Sequence, residues 1–233
     1  MMSVPSLSSL PNIVATEAGV AVEGAGFFLE NAWLIPAIPA ASFMMILFFG
    51  KRFPYKGSEI GIVAVGLSFL LACAAGIQWI GQVDGAAAKY DAEHGGEEAV
   101  VDGISSFAPA VESGGAPDVG VSAVHRTIDW WVNGGVDFKV GILVDGLTVM
   151  MLFVVTAISL LVHVYSTDYV DGDRRYTHFF AFLSLFTAAM LFFVLSENIL
   201  QMIVGWELVG VCSFALIGHW WEDQANSLSL IHI

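Results

Sequence analysis

Basic residues are scarce in this sequence, in which Lys and Arg together number 8 against 22 Asp and Glu among 233 residues. Charged residues of both signs make up only 13% of the chain, whereas hydrophobic residues make up 57%. Soluble domains carry about 25% charged residues. This composition excludes a soluble enzyme domain or a soluble binding module, and we expect no nucleic-acid partner.

Cysteine is almost absent, since the chain holds only Cys73 and Cys212. Both lie inside long apolar runs, where a small polarizable side chain packs well. The sequence contains no CxxC cluster, no Gly-rich phosphate loop and no dinucleotide fingerprint. We therefore interpret both cysteines as packing residues, and we expect neither a redox cofactor nor a metal site in this chain.

Long apolar runs dominate the chain, at about residues 27–49, 60–82, 140–165 and 178–218. A helix rises ~1.5 Å per residue and a bilayer core needs about 20 apolar residues, so the last run is long enough for two spans. The polar triplet Ser196-Glu197-Asn198 is the natural break between them. The sequence thus predicts an all-α integral membrane protein with about five transmembrane helices.

The few basic residues predict the orientation, because cytoplasmic loops near membrane spans are enriched in Lys and Arg. Five of them fall between the first and second runs or between the third and fourth: Lys51, Arg52, Lys56, Arg174 and Arg175. The other three, on the opposite side, are Lys89, Arg126 and Lys139. We therefore expect the N-terminus outside the cytoplasm and the C-terminus in the cytoplasm.

Five segments follow from these patterns. We expect an extra-cytoplasmic segment over 1–26, two transmembrane helices over 27–82, three more over 140–219 and an atypical tail over 220–233. Residues 83–139 hold much of the negative charge, and their Gly-rich and Ala-rich texture predicts a flexible, acidic extra-cytoplasmic loop. Within this loop, the stretch from His125 to Trp131 is more ordered and amphipathic in character.

Glu207 lies near the middle of the last apolar run, and no Lys or Arg lies within one helical turn of it. An ionised acid at the centre of a spanning helix costs about 2.5–3.5 kcal/mol on insertion scales, so such residues usually carry protons or ions. The same helical face holds Ile203, Val204, Val211 and Phe214, which we expect to isolate the carboxylate from water. We interpret Glu207 as a buried proton-transfer residue.

Asp145 and His163 are secondary candidates in the third apolar run. Asp145 stands at the start of that run, where a helix cap or an interfacial acid is the alternative to a proton site. His163 lies near the other end, and histidine side chains titrate near neutral pH, although a structural hydrogen bond is the alternative.

The stretch Gly205-Trp-Glu-Leu-Val-Gly-Val-Cys-Ser213 resembles the glutamate helix of the largest antiporter-like membrane subunit of proton-pumping NADH:quinone oxidoreductase. This subunit of respiratory complex I is called L in bacteria and chain 5 in mitochondria. Further matches are Leu34-Ile-Pro-Ala-Ile-Pro39, Val144-Asp-Gly-Leu-Thr148, His163-Val-Tyr-Ser166 and Arg175-Tyr-Thr-His-Phe-Phe-Ala181. Together the matches cover most of residues 30–226.

The resemblance implies the N-terminal part of a larger antiporter-like helical bundle in the bacterial inner membrane. It also implies that Glu207 works with a lysine two helices later, which these 233 residues lack, while quinone is reduced elsewhere in the complex. NADH, FMN, iron–sulfur clusters and quinone would then belong to partner subunits, and the partners of this chain would be other membrane subunits and the lipid bilayer. Because residues 227–233 do not resemble the continuation of the family, we expect a truncated or artefactual end, and the 233 residues alone should not pump.

Two alternatives stay open at this point. The large subunit of multi-subunit sodium/proton antiporters shares a Trp-Glu helix, but it usually carries Thr-Ser-Ile-Ser-Ser where this chain has Val209-Gly-Val-Cys-Ser213. A membrane scaffold without transport would instead keep Glu207 buried and hydrogen-bonded.

Overall fold

The structure is a computed structural model that describes residues 26–94, 123–133 and 136–222. Its helices and strands are, in chain order, α1 (Phe27–Glu30), α2 (Leu34–Phe49), α3 (Ser58–His94), β1 (Val124–Asn133), β2 (Val136–Val144), α4 (Gly146–Tyr169), α5 (Tyr176–Val194) and α6 (Ile199–Ile217). Short 3-10 turns follow α2 at Gly50–Arg52 and α6 at Gly218–Trp220.

Five helices, α2 to α6, are long and apolar enough to cross a membrane, so the prediction of a mostly helical membrane fold with five spans is confirmed. The longest is α3, with 37 residues. At ~1.5 Å per residue it is about 55 Å long, well beyond the ~30 Å of a bilayer core. The helix that contains the second span therefore continues past the predicted end at residue 82, up to His94, and the candidate span within it is Ser58–Lys89.

Two antiparallel strands replace part of the predicted acidic loop. β1 pairs with β2 from Val124 opposite Val144 to Asn133 opposite Val136. The prediction that 83–139 is a loop is wrong at both ends, because α3 fills its start and the strands fill its end, while residues 95–122 lie outside the described part. The third span also begins later than its predicted start at residue 140, because β2 runs through Val144 and α4 begins only at Gly146.

The connections of the bundle collect on two sides. On one side the hairpin meets the α5–α6 turn, where the Leu143 amide donates to the Leu195 carbonyl (3.1 Å), and Arg126 Nη1 donates to the Glu30 carbonyl (3.2 Å). On the other side, Lys56 Nζ lies 5.8 Å from the centre of the Tyr176 ring. The segment with Lys51, Arg52 and Lys56 therefore shares one side with the loop that carries Arg174 and Arg175. This pairing of loops matches the sequence prediction, whereas the absolute orientation stays a prediction.

The helices pack most closely around α5. Half of the most apolar stretch of α5 is buried, against 17% of the corresponding stretch of α6. The polar and small side chains that face other helices let backbones approach, as is usual in membranes. α6 consequently forms the most open edge among the described spanning helices.

Candidate functional site

α6 begins at a well-capped end. The side chain of Asn198 accepts a hydrogen bond from the Gln201 amide (2.9 Å), as an N-cap residue does, and its Nδ2 donates to the Lys139 carbonyl on β2 (2.8 Å). One face of α6 then packs on the bundle, with Gln201, Gly205 and Cys212 buried. The first turn and this face together fix how α6 sits on α5.

Gly205 makes the closest approach of α6 to α5. A β-carbon added to Gly205 would lie 2.9 Å from both Cα and Cβ of Phe193. The Phe193 ring also meets the Trp206 ring, with centroids 5.8 Å apart. The backbones of the two helices therefore touch at Gly205.

Glu207 lies two residues beyond Gly205, and two residues correspond to about 200° around an α-helix. Glu207 is accordingly exposed, on the face of α6 that points away from α5. Its helical neighbours Ile203, Val204 and Val211 are also exposed, and Phe214 is 81% exposed. No described residue covers this face, so the expected burial of Glu207 behind these apolar side chains stays a prediction.

Within the described ranges, Glu207 makes no hydrogen bond and no ion pair. Its carboxylate stands about midway along a helix that is apolar enough to cross a membrane. An ionised acid that faced hydrocarbon there would cost about 2.5–3.5 kcal/mol. The described residues thus leave the Glu207 carboxylate uncovered on its outer side and without a polar partner.

Asp145 is the N-cap of α4. Its Oδ1 accepts a hydrogen bond from the Thr148 amide at 2.7 Å, with the extended backbone typical of a cap (φ −120°, ψ −177°). The capping interpretation of Asp145 is confirmed. A role of Asp145 in proton transfer stays a prediction.

His163 is fully buried where α3, α4 and α5 meet. Its Nδ1 lies 2.8 Å from the Ser159 carbonyl oxygen, so Nδ1 donates, and its Nε2 lies 3.4 Å from Ser184 Oγ. A β-carbon added to Gly61 of α3 would lie 3.2 Å from both His163 Cδ2 and Ser184 Oγ. Both ring nitrogens therefore have structural partners, and a role in proton transfer stays a prediction.

The structure does not gather the three predicted site residues. Asp145 lies at the hairpin end of α4, His163 lies in the bundle interior, and Glu207 lies on the outer face of α6.

Sequence reasoning missed the contact that holds the hairpin on α6. The Gln201 side chain pairs with the backbone of Gly141: the Gly141 amide donates to Oε1 (3.0 Å), and Nε2 donates to the Gly141 carbonyl (2.8 Å). A β-carbon at Gly141 would collide with the Glu197 carboxylate. The available signal was Asn133-Gly-Gly between two runs rich in Val, Ile and aromatic residues, which is typical of a β-hairpin.

Comparison with known proteins bears on the same region. Residues 130–180 match the family described as NADH-Ubiquinone oxidoreductase (complex I), chain 5 N-terminus, a stretch that includes Asp145 and His163 and ends before α6. The chain is 35% identical over 196 residues to F(420)H(2) dehydrogenase subunit L of Methanosarcina mazei. It is 32% identical over 198 residues to NADH-quinone oxidoreductase subunit L of Neisseria meningitidis serogroup B. Each of these two alignments covers 84% of the chain.

A shorter stretch is more similar still, with 50% identity over 98 residues, 42% of the chain, to the chloroplastic NAD(P)H-quinone oxidoreductase subunit 5 of Physcomitrium patens. The aligned part spans only 23%, 24% and 14% of the archaeal, bacterial and chloroplast relatives, respectively. These homologues confirm the resemblance to subunit L and chain 5 over most of the sequence.

Proposed function

We propose that this chain, a homologue of subunit L and chain 5 of complex I, is the N-terminal region of a proton-translocating membrane subunit in which Glu207 binds and releases the proton. One observation carries the proposal. A single carboxylate stands midway along α6, on a face that no described residue covers. Such a residue has no structural use in hydrocarbon, and intramembrane acids generally mark proton or ion paths.

The exposed face of α6 needs further protein segments to pack against it. We propose that helices outside the described residues pack on Ile203, Val211 and Phe214 and enclose Glu207 in a partly hydrated cavity. A cation on those helices would balance the carboxylate, and the family resemblance implies a lysine in that role. Movement of that cation toward or away from Glu207 would favour release or uptake of a proton, because a nearby opposite charge stabilises the ionised acid.

The redox chemistry, in this proposal, belongs to partner subunits. The names of the relatives differ in their electron donor, F(420)H(2), NADH or NAD(P)H. The F(420)H(2) and NADH relatives are each similar to this chain over 84% of its length, so most of the chain is common to complexes with different donors. We propose that partner subunits hold FMN, iron–sulfur clusters and quinone, and that NADH is the donor in a bacterial inner membrane, with the N-terminus of the chain outside.

Replacement of Glu207 tests the proposal. Glu207→Gln is introduced into the full-length gene in its native host, and proton uptake and NADH oxidation are recorded in inverted membrane vesicles. Glu30→Gln is the matched control, because Glu30 is exposed on the short helix α1 outside the spans. We expect Glu207→Gln to abolish most NADH-driven proton uptake while the control retains it.

Two further comparisons make the result decisive. The amount of subunit in the membrane is measured by immunoblot, and Glu207→Asp, which keeps the acid, should recover part of the uptake. Where parent vesicles oxidise reduced F(420) instead of NADH, the same experiment is run with that donor. Unchanged donor-driven uptake in Glu207→Gln contradicts the proposal; loss of sodium/proton exchange instead would assign the chain to the antiporters, and no change in either would assign it to a scaffold.

A further inference from the structure

A cluster of charged and aromatic side chains joins the α4–α5 loop to the end of α6. The Asp173 carboxylate accepts two hydrogen bonds there, from the Arg175 amide (2.7 Å) and from Trp220 Nε1 (2.7 Å). Arg175 Nη2 in turn binds Glu222 Oε1 at 2.7 Å. These residues, with Arg174 and His219, line a cleft of about 230 Å³. The cleft lies on the side that carries Lys56, Arg174 and Arg175.

Among the members of this cluster, which all lie in the described part of the chain, His219 alone has a buried polar atom without a hydrogen-bond partner. The residue is 93% buried, its Nε2 has no aligned partner, and that atom lies 3.4 Å from Asp173 Oδ1. The ring is held between aromatic neighbours, with the Phe179 centroid 5.3 Å and the Trp220 centroid 5.4 Å away. A buried ring nitrogen is thus held against a carboxylate.

The sign of the local charge favours a proton on that nitrogen. A lone pair on Nε2 would face an anionic oxygen, whereas an N–H would donate to it. The hydrogen bond from the Arg175 amide, and after it that from Trp220, hold the pKa of Asp173 below its usual range, so Asp173 is an anion near neutral pH.

The other charges near His219 come from the loop and from the chain beyond α6. Arg174 and Arg175 are positive, but Glu222 lies 3.9 Å from Arg174 Nη1 and 2.7 Å from Arg175 Nη2 and partly offsets both. On α5, the element that packs against the ring, Phe179 contributes an apolar wall, and His178 is exposed. Among the described residues, Asp173 is therefore the carboxylate nearest to the orphaned nitrogen.

We propose that His219 and Asp173 form a proton-binding site that opens to the membrane side carrying Arg174 and Arg175. In the neutral ring one nitrogen carries the N–H; a hydronium ion transfers a proton to the other nitrogen, its O–H bond breaks and water leaves, and the Nε2–H of the resulting imidazolium donates to Asp173 Oδ1. Release reverses the step, with no oxidant or other reactant. The bound proton fastens the end of α6 to the α4–α5 loop, because the same carboxylate already holds Trp220 and Arg175.

The site is independent of the proposed function, although it would serve it. His219 stands 12 residues after Glu207 in the same chain segment, about 18 Å along a helix at ~1.5 Å per residue. A proton site at this end of α6 would lie on the approach to the intramembrane carboxylate. Its own test needs no electron transfer, so failure of one proposal is distinguishable from failure of the other.

Chemical modification of histidine tests the site in the full chain in its native membrane. Inverted vesicles are treated with diethyl pyrocarbonate, which reacts with unprotonated imidazole, at several values between about pH 5 and 8, where histidine charge changes. Peptide mass spectrometry then gives the modified fraction of His219, with His178 in the same protein as the exposed reference. In Asp173→Asn we expect a larger modified fraction of His219 than in the parent at the same pH, since an opposite charge is lost.

Matched variants separate charge from structure. Asp173→Glu keeps the carboxylate and should restore the parent curve, and Asp168→Asn removes an exposed acid near the same end of α4 and should leave the curve unchanged. Coincident curves for the parent and Asp173→Asn would overturn the proposal. Where His219 resists modification at every pH, solid-state NMR of ¹⁵N-histidine-labelled membranes replaces the reagent, with the resonance assigned by its loss in His219→Asn. A His219 ring that carries a single N–H throughout that pH range would also overturn it.

Discussion

Gly205 of α6 touches the backbone of Phe193 on α5 and thereby decides which way Glu207 faces. A β-carbon at Gly205 would lie 2.9 Å from Phe193 Cα. Because the two helices meet at Gly205, the residue two positions later points away from α5. The open face of α6, with its carboxylate, is a direct consequence of this one close contact.

Gly205→Ala should weaken the contact between α5 and α6. Overpacking costs about 1–3 kcal/mol, while alanine regains up to about 1 kcal/mol of helix propensity, so we expect a net loss of stability. The measurement is the melting temperature of the full-length protein in detergent, together with donor-driven proton uptake. Gly66→Ala in α3 is the control, because its β-carbon would meet Leu160 at an ordinary 3.8 Å. Equal melting temperatures for the two variants would contradict the role given to Gly205.

A hydroxyl on α3 satisfies a carbonyl that Pro39 leaves free in α2. Proline has no amide hydrogen, so the carbonyl of Ile35, four residues earlier, lacks its helical donor. Ser68 Oγ donates to that carbonyl at 3.0 Å, and Ser68 is fully buried. In hydrocarbon, backbone groups must find partners within the protein.

Ser68→Ala should therefore cost about 1–3 kcal/mol, the penalty for an unpaired buried polar group. In a Pro39→Ala background, residue 39 regains an amide donor, and the same Ser68→Ala change should cost much less. A double-mutant cycle on the unfolding free energy of the full-length protein in mixed micelles measures the difference. Additive effects of the two substitutions would show that Ser68 does not serve the Ile35 carbonyl.

Asp145 caps α4 through the Thr148 amide. Asp145→Ala should destabilise the full-length protein by about 0.5–2 kcal/mol, whereas Asp145→Asn, which keeps a cap oxygen, should cost little. Thermal unfolding of both variants is the measurement. If Asp145→Asn stays as stable as the parent yet loses proton uptake, Asp145 has a role in transport besides capping.

The Gln201 side chain holds the hairpin to α6 through both polar groups of Gly141. Gln201→Met should leave the Gly141 amide and carbonyl unpaired and loosen the hairpin. Hydrogen–deuterium exchange of peptides within 123–144, measured on the intact protein, should speed up at least tenfold, since about 1.4 kcal/mol corresponds to a factor of ten. Peptides of α4 in the same sample provide the reference. Unchanged exchange of the hairpin peptides would contradict this account.

Asp173 should make stability fall in acid. The Arg175 amide, in the first place, lowers the pKa of this carboxyl below its usual range. A lowered folded-state pKa contributes stability that is present above the unfolded value of about 3.9 and is lost as pH falls through the folded value. The melting-temperature difference between the parent and Asp173→Asn should therefore shrink as pH falls from 6 toward about 3. A difference that stays constant over this range would be inconsistent with an ionised Asp173.

The sequence could not reveal the hairpin through the signals that located the helices. Hydropathy and negative charge identified 83–139 as a loop, but strand pairing joins residues such as Val124 and Val144 across the intervening chain. The Asn133-Gly-Gly stretch was a local hairpin signal. This stretch of three residues had little influence on a prediction made from the composition of 83–139, because the same segment holds ten acids.

Sequence alone determined the membrane class, the five spans, the grouping of the basic loops and the place of Glu207 midway along a helix. Each of these depends on local composition, because a span needs about 20 apolar residues in a row. Only the tertiary structure decided that Asp145 is a cap, that His163 is enclosed between helices, and that Glu207 faces outward. Those outcomes depend on contacts between distant segments, above all that of Gly205 with Phe193, which the periodicity of a single helix does not contain.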